Sequence, residues 1–495
     1  MAERRYLLRT FGCQMNEHDS ERIAGLLTAD GYVPTEEAAE AQVVVFNTCA
    51  IRENADNRLY GNLGHLRPLK VRNPRMRIVV AGCLVQKDGP RIQERAPWVD
   101  VVVGTHALPE LLDLLRRAEA EGPQMDVREY TEVFPSALPA RREVEHHAWV
   151  SVSVGCDNAC TFCIVPLVRG PQRSRPIGDV LAEVQGLARR GVVEVTLLGQ
   201  NVNTYGRDLT VPGSSRRPLF GDLLRSVNEV EGLRRIRFTS PHPHDFTPDV
   251  IDAMAEGEKV CEHIHFPLQS GSDRVLRAMR RSYRRERYLE WLGAIRAAIP
   301  GVAVSTDIIV GFPGETEEDF GDTLDVVERA RFDQAYTFRY SPRPGTRAAQ
   351  MPGQVPEGVV AERFERLVRL QEAISLARML EQVGSAQEIL VEGTGRKGRI
   401  QGRTRTNRVV HLDGEHRPGA FLDVRIVAAH PHHLDGELAA GVRGAQGASE
   451  RERASVAPRG ERGVRGAQGA SERERASVAP VTGRSGRRSA DAPGR

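Results

Sequence analysis

Over the first 120 or so residues, short apolar runs alternate with stretches whose apolar positions recur at helical spacing. Arg5–Phe11, Val43–Phe46, Arg77–Ala81 and Trp98–Val103 read as strands. Ser20–Ala29, Asn54–Leu66 and Leu108–Ala118 read as helices. Such alternation predicts an α/β domain with a parallel sheet over 4–120. Residues 121–147 are polar and Pro-interrupted and read as a linker. A second run of β-α units follows. Its strands are Val150–Val154, Glu194–Leu198, Arg235–Phe238, Glu262–Pro267, Val302–Val310 and Gln334–Phe338; its helices include Ile177–Arg189, Phe246–Met254, Arg284–Ala298 and Thr316–Arg331. Six units are too few to close an eight-stranded barrel, so an open (βα)6 barrel is expected over 148–375. From Ser385 to His430 short alternating strands take over, and a small β-barrel is expected within 376–440. Beyond Gly441 large apolar residues almost vanish, and GVRGAQGASERERASVAP occurs twice, at 441–458 and 463–480. Neither copy has an apolar face, so 441–495 reads as a disordered tail.

The chain has 495 residues, 40% hydrophobic and 27% charged, a balance suited to soluble globular domains. No run approaches the ~18 apolar residues of a membrane span, and MAERRYLLRTFGC lacks a signal core. A cytoplasmic monomer without membrane contact is the expectation. The net charge of +3 is unevenly placed: twelve Arg against six acids put +6 on 441–495 and leave the body at −3. The basic balance therefore belongs to the tail.

Seven cysteines, an odd number without an export signal, argue against a disulfide framework and leave the thiols as candidate metal ligands. Cys156, Cys160 and Cys163 stand in GCDNACTFCIVPLVRG, a C-x3-C-x2-C pattern just after a strand. Three thiolates with no histidine at finger spacing suit a [4Fe–4S] cluster with one iron open to a small molecule. A zinc site completed by a distant ligand, or simply buried thiols, is the competing reading. Cys13, Cys49 and Cys83 lie 36 and 34 residues apart, each at or just past the end of a strand: YLLRTFGC, VVVFNTC, RIVVAGC. In a parallel sheet those ends share one edge, which allows a second three-thiolate cluster; unrelated buried cysteines are the alternative. Other barrel strand ends suit a bound nucleoside: Gln200, Asn201 and Asn203; Gln269 and Ser270, followed by Asp273; Gly311, Gly314 and Glu315. Each could equally be an ordinary turn or cap.

Arg396, Lys397, Arg399, Arg403, Arg405 and Arg408 form a basic run across the small barrel, suited to phosphate or to solvent. Arg280, Arg281, Arg284 and Arg285 form another. Cys261, without cysteine partners, reads as structural, as do His242, His244, His263 and His265.

C-x3-C-x2-C resembles the hallmark of the radical S-adenosylmethionine (SAM) superfamily. GCQMNEHDSE, NTCAIRENADNRLYGNLGHL, AGCLVQ, CTFCIVPLVRG, TDIIVGFPGETEEDF and YSPRPGTRAA more narrowly resemble the tRNA methylthiotransferases, over about residues 4–435. Within them the branch acting on N6-dimethylallyladenosine is the nearest. The resemblance implies an auxiliary [4Fe–4S] cluster on Cys13, Cys49 and Cys83, and a SAM-cleaving one on the catalytic Cys156, Cys160 and Cys163. It implies SAM contacts at Gln200, Asn201, Gln269, Ser270, Gly311 and Glu315. It further implies a C-terminal RNA-binding TRAM domain, a tRNA anticodon loop as substrate and an external electron donor. One SAM would methylate sulfur on the auxiliary cluster and a second would yield the radical that activates carbon 2 of the adenine. A threonylcarbamoyl-adenosine substrate, a ribosomal-protein aspartate, and a noncatalytic RNA-binding iron–sulfur sensor are the alternatives.

Overall fold

The computed structural model describes residues 3–50, 53–128, 134–209, 217–395 and 398–439. The duplicated tail, Arg396 and Lys397 lie outside the described residues.

Six parallel strands form the first sheet: β1 (Arg4–Phe11), β2 (Tyr32–Pro34), β3 (Val43–Thr48), β4 (Arg77–Gly82), β5 (Val101–Val103) and β6 (Gln124–Asp126), in spatial order β2-β1-β3-β4-β5-β6. Helices α1 (Gln14–Ala29), α2 (Glu53–Arg72), α3 (Cys83–Arg95) and α4 (Leu111–Glu121) connect them. Every residue of β3 is buried. Val43, Val45 and Val79 pack into one core, and Val44, Phe46 and Val80 into the other. A sheet covered on both faces explains why these strands are apolar throughout rather than alternating. Inside the stretch read as a linker, Gln124–Asp126 adds the sixth strand.

The segment read as one strand, Val150–Val154, divides into β7 (His147–Ser151) and β8 (Ser153–Val154). β8 pairs antiparallel with β9 (Arg173–Ser174), and this pair brackets the cysteine loop that ends in α5 (Val165–Arg169). β7 continues a parallel series with β10 (Glu194–Leu198), β11 (Arg235–Phe238), β12 (His263–His265), β13 (Ala303–Val310) and β14 (Gln334–Arg339). The two three-stranded halves meet where Ile236 bridges Val260, which gives six parallel strands in chain order. Helices α6 (Ile177–Arg189), α7 (Phe220–Asn228), α8 (Pro248–Glu256), α9 (Asp273–Ala278), α10 (Arg285–Ala298) and α11 (Glu317–Ala330) supply the crossovers. The long helix α12 (Glu357–Leu380) then leads to a closed barrel of β15 (Ala386–Thr394), β16 (Ile400–Thr404), β17 (Val409–Leu412), β18 (Phe421–Ala429) and β19 (Leu434–Leu438). Among the described residues no helix is long and apolar enough to cross a membrane.

Asp319 fixes the rim between β12 and α11. It completes a capping box with Thr316, accepts from Ser272 Oγ at 2.6 Å and from Arg274 Nε at 3.2 Å. Burial raises its carboxyl, yet the bonds from Arg274, Ser272 and Thr316 hold it well below the usual carboxylate range. A depressed folded-state value stabilises above the unfolded pKa, and that stabilisation is lost as pH falls through the folded one. Asp319→Ala is therefore expected to cost about 1–3 kcal/mol in urea unfolding near neutrality, and the difference from wild type should begin to narrow below pH ~4 and close only as pH falls through the depressed folded-state value.

Candidate functional site

The register of the first sheet aligns Phe11 with Thr48, and Thr48 with Gly82. Cys49 and Cys83 are one residue past this row and Cys13 is two past it. Three neighbouring strands thus deliver three sulfurs to one edge. The chain also reverses direction across the sheet between β1 and β3, the position where open parallel sheets form a ligand crevice. Buried amides hold the loops in place. Asn16 Nδ2 donates to Asn47 Oδ1 and to Thr48 O, both at 3.1 Å, and Asn47 Nδ2 returns a bond to Asn16 O at 2.8 Å. Gly82, at φ 99°, admits no side chain, because a Cβ there would stand 2.4 Å from Asn47 Oδ1. The Cys49 thiol, ahead of the charge on Arg169, holds Cys13 down at about 5. Burial instead pushes Cys83 up.

The second triplet sits in the loop between β8 and α5. Cys156 N donates to Gly170 O at 3.1 Å and closes the loop. Backbone amides point at two of the sulfurs: Asn158 N at Cys156 Sγ and Val165 N at Cys163 Sγ, both at 3.5 Å. Arg281 reaches Cys160 Sγ with Nη1 at 3.5 Å. Burial raises Cys156 to about 11 and Cys163 to about 12.

The loops that carry the two triplets pack against each other. Ala50 and Cys83 from the first sheet pack with Ile164 and Val168 from the second loop, and Met15 packs with Val154 and Leu198 beside Cys13. Arg169, at the end of α5, donates to Cys83 Sγ at 3.3 Å and to Asp19 at 2.7 Å. Among the described residues only His430, His433 and Asp435 bring three ligand atoms within 4.8 Å of one another, and there Arg399 already neutralises Asp435. Each cysteine triplet offers three thiols, one short of a closed tetrahedral zinc set and suited to a cube of iron and sulfur with one iron left open. Beside Arg169 lie buried polar atoms without a hydrogen-bond partner among the described residues: Asp19 Oδ1, which faces His18 Nδ1 at 3.8 Å, and His106 Nε2. Burial drives His106 to about 4, which keeps its imidazole neutral.

The nucleoside candidates all lie at the C-terminal ends of barrel strands, on the rim that carries the second triplet. Gln200 is half-buried there. Asn201 is buried, donates to Asp245 at 2.8 Å and leaves Oδ1 without a partner among the described residues. Gln269 adopts a left-handed φ of 69° and returns its carbonyl to Ile309 N. Ser270 Oγ lies 3.4 Å from Thr323 Oγ1. Gly311 N donates to Glu315 Oε1, whose carboxylate also pairs with Arg363 at 3.0 Å. Asn203 is committed to the backbone of His242. The carboxylate of Glu315 and the amide of Asn203 thus brace the rim itself. Asp273 caps the start of α10 by accepting from Arg285 N.

Each described arginine of the small barrel's basic run has a carboxylate partner, while Arg396 and Lys397 lie outside the described residues. Arg405 pairs with Glu262 at 2.7 Å, Arg408 with Asp333 at 2.5 Å, Arg403 with Glu392 at 2.6 Å and Arg399 with Asp435 at 2.6 Å. Arg235 and Arg237 donate to the carbonyls of Arg403, Thr404 and Arg405. The β16–β17 turn is thereby wedged under the N-terminal ends of the central strands. Arg280, Arg281, Arg284 and Arg285 form no single patch either: Arg281 turns inward to Cys160 and Arg285 pairs with Asp322. Cys261 is buried beside Arg237 and Glu194. His263 and His265 share Ser305, and His265 also contacts Asp307 at 3.1 Å. His242 accepts from His244 N. Sequence reasoning missed Arg169, Asp19 and His106 and took Arg281 only as a member of a basic cluster, because spacing carries no signal for a charge that tertiary packing buries.

Comparison with known proteins matches residues 5–104 to the uncharacterized protein family UPF0004, 150–327 to the radical SAM superfamily and 380–439 to the TRAM domain. The chain is 59% identical over 454 residues to a tRNA-2-methylthio-N(6)-dimethylallyladenosine synthase of Parafrankia sp. (strain EAN1pec), covering 88% of this chain and 91% of the relative. It is 57% identical over 465 residues to the protein of that name in Acidothermus cellulolyticus, covering 92% and 93%. The radical SAM methyltransferase TsrM from Kitasatospora setae shares the fold, with a TM-score of 0.52 at 15% identity over 70% of this chain and 77% of that one.

At Gly155, φ is 76° and a Cβ would stand 2.1 Å from Pro171 O, whereas at Gly178 nothing lies within 4 Å. Gly155→Ala should therefore lower the thermal midpoint by an amount equivalent to at least ~1–2 kcal/mol, while Gly178→Ala leaves it unchanged or raises it. Scanning calorimetry on the pair checks this.

Proposed function

The chain belongs to the family of tRNA-2-methylthio-N6-dimethylallyladenosine synthases, and on that premise we propose that Cys13, Cys49 and Cys83 hold its auxiliary [4Fe–4S] cluster while Cys156, Cys160 and Cys163 hold the cluster that cleaves SAM. It is a radical SAM methylthiotransferase that modifies carbon 2 of N6-dimethylallyladenosine next to the anticodon of tRNA. When bound, the clusters and SAM supply a methyl donor, a place for sulfur and a radical able to activate an unreactive aromatic C–H bond. The protein's own part is placement. Each triplet offers three thiolates, one short of the four irons of a [4Fe–4S] cube. The rim groups Gln200, Asn201, Gln269, Ser270, Gly311 and Glu315 frame the space for SAM, and the free Oδ1 of Asn201 is the acceptor best placed to serve it. Ala50, Ile164 and Val168 form a buried apolar contact against Cys83.

The observation that carries this reading is the junction itself: the loop holding Cys156, Cys160 and Cys163 packs its Ile164 and Val168 against Ala50 and Cys83 of the first sheet's edge. The shared name of the relatives sets aside the threonylcarbamoyl and ribosomal-protein alternatives. A monomer reduced by an external electron donor completes the proposal.

Anaerobic iron and sulfide quantitation tests the ligand assignment. Cys49→Ala and Cys156→Ala should each lose about half the iron of the wild type. Zinc, or a single cluster in the wild type, would overturn it. Reduced enzyme should also form 5′-deoxyadenosine and modify isopentenylated tRNA in preference to unmodified tRNA; a chain that binds clusters without cleaving SAM would instead be a sensor.

A further inference from the structure

Arg169 is a buried cation bound to a sulfur. Its side chain is 5% exposed and that of its partner Asp19 is 2% exposed. Nε donates to Cys83 Sγ at 3.3 Å while Nη2 donates to Asp19 Oδ2 at 2.7 Å. The fork of the guanidinium makes both bonds at once, which a lysine cannot do. The residue is fixed from both sides: Thr105 of the first sheet donates to Val168 O at 3.1 Å, and Gly170 O accepts from Cys156 N at 3.1 Å. The group that grips Cys83 is therefore one residue from the hydrogen bond that closes the loop of the second triplet.

Resting on the ligand assignment above, we infer that Arg169 is a positioning residue that sets the electron affinity of the cluster at Cys13, Cys49 and Cys83, with Asp19 as its counterweight. A cation donating to a ligand sulfur favours the reduced, more negative cluster, and hydrogen bonds to sulfur are among the main determinants of cluster potential. The carboxylate of Asp19 partly cancels that charge. Arg281 at Cys160 provides the second triplet with its own cationic donor at 3.5 Å, so the two groups can be set independently. The inference makes opposite predictions for two neighbours. Removing the cation should lower the potential, and removing the anion should raise it.

The test is a potentiometric titration followed by electron paramagnetic resonance on the full-length protein with Cys156, Cys160 and Cys163 all replaced by alanine, so that one cluster reports. Relative to that parent, Arg169→Gln should shift the potential to more negative values and Asp19→Asn to more positive ones. Arg169→Lys, which keeps the charge and loses the fork, should fall between Arg169→Gln and the parent. If Arg169→Gln fails to hold a cluster, Asp19→Asn and Arg169→Lys still carry the signs. Shifts of the same sign for Arg169→Gln and Asp19→Asn, or none, would overturn the inference and leave the ligand assignment standing. A Cys13→Ala/Cys49→Ala/Cys83→Ala protein that keeps the full iron content of the wild type would overturn the assignment itself.

Discussion

The register of three adjacent parallel strands is the constraint on which the rest depends. With Phe11, Thr48 and Gly82 in one row, the loops that leave β1, β3 and β4 emerge side by side, whatever their sequences. A slip of one residue in any pair would turn its strand over and send the core valines to the wrong face. The two apolar cores that flank the sheet therefore hold the sulfurs together as well. Stability and chemistry share one cause here, and the buried amides of Asn16 and Asn47 refine what the strand pairing has already set.

The second sulfur group is built differently. Three cysteines within eight residues need no sheet to gather them; what they need is a loop of fixed shape. Gly155, the β8–β9 pair and the short helix α5 supply it. The two designs meet at Ala50, Cys83, Ile164 and Val168, where an edge set by long-range pairing abuts a loop set by local turns. Each group is accompanied by one buried arginine, Arg169 or Arg281. Around that apolar contact, Thr105 bonds across to Val168, Asp19 to Arg169 and Arg22 to Glu183.

Much of this was legible in the chain. Glu194–Leu198, Arg235–Phe238 and Ile177–Arg189 match the observed elements residue for residue, because each is a clean run between turn-forming residues. The six cysteines announced themselves by spacing. Other elements were hidden for physical reasons. Helix α3 contains Pro90 and a non-helical Asp88, which break its period. Helix α12 buries Arg363, Gln371 and Ser375 alongside Val360 and Leu367, so it shows no apolar stripe. Strands β6 and β19 are short and half-polar. The partners of the small-barrel arginines were hidden because they are remote: Glu262 is 143 residues from Arg405, and Asp333 is 75 from Arg408. A sequence displays a charge but not the residue that neutralises it.

The wedged turn between β16 and β17 has a geometric consequence. It anchors the small barrel at the N-terminal ends of the central strands, while the sulfur loops occupy the C-terminal ends. A strand of five residues separates the two ends by roughly 17 Å. An RNA that reaches from the small barrel to the sulfur loops therefore has to span the depth of the strands.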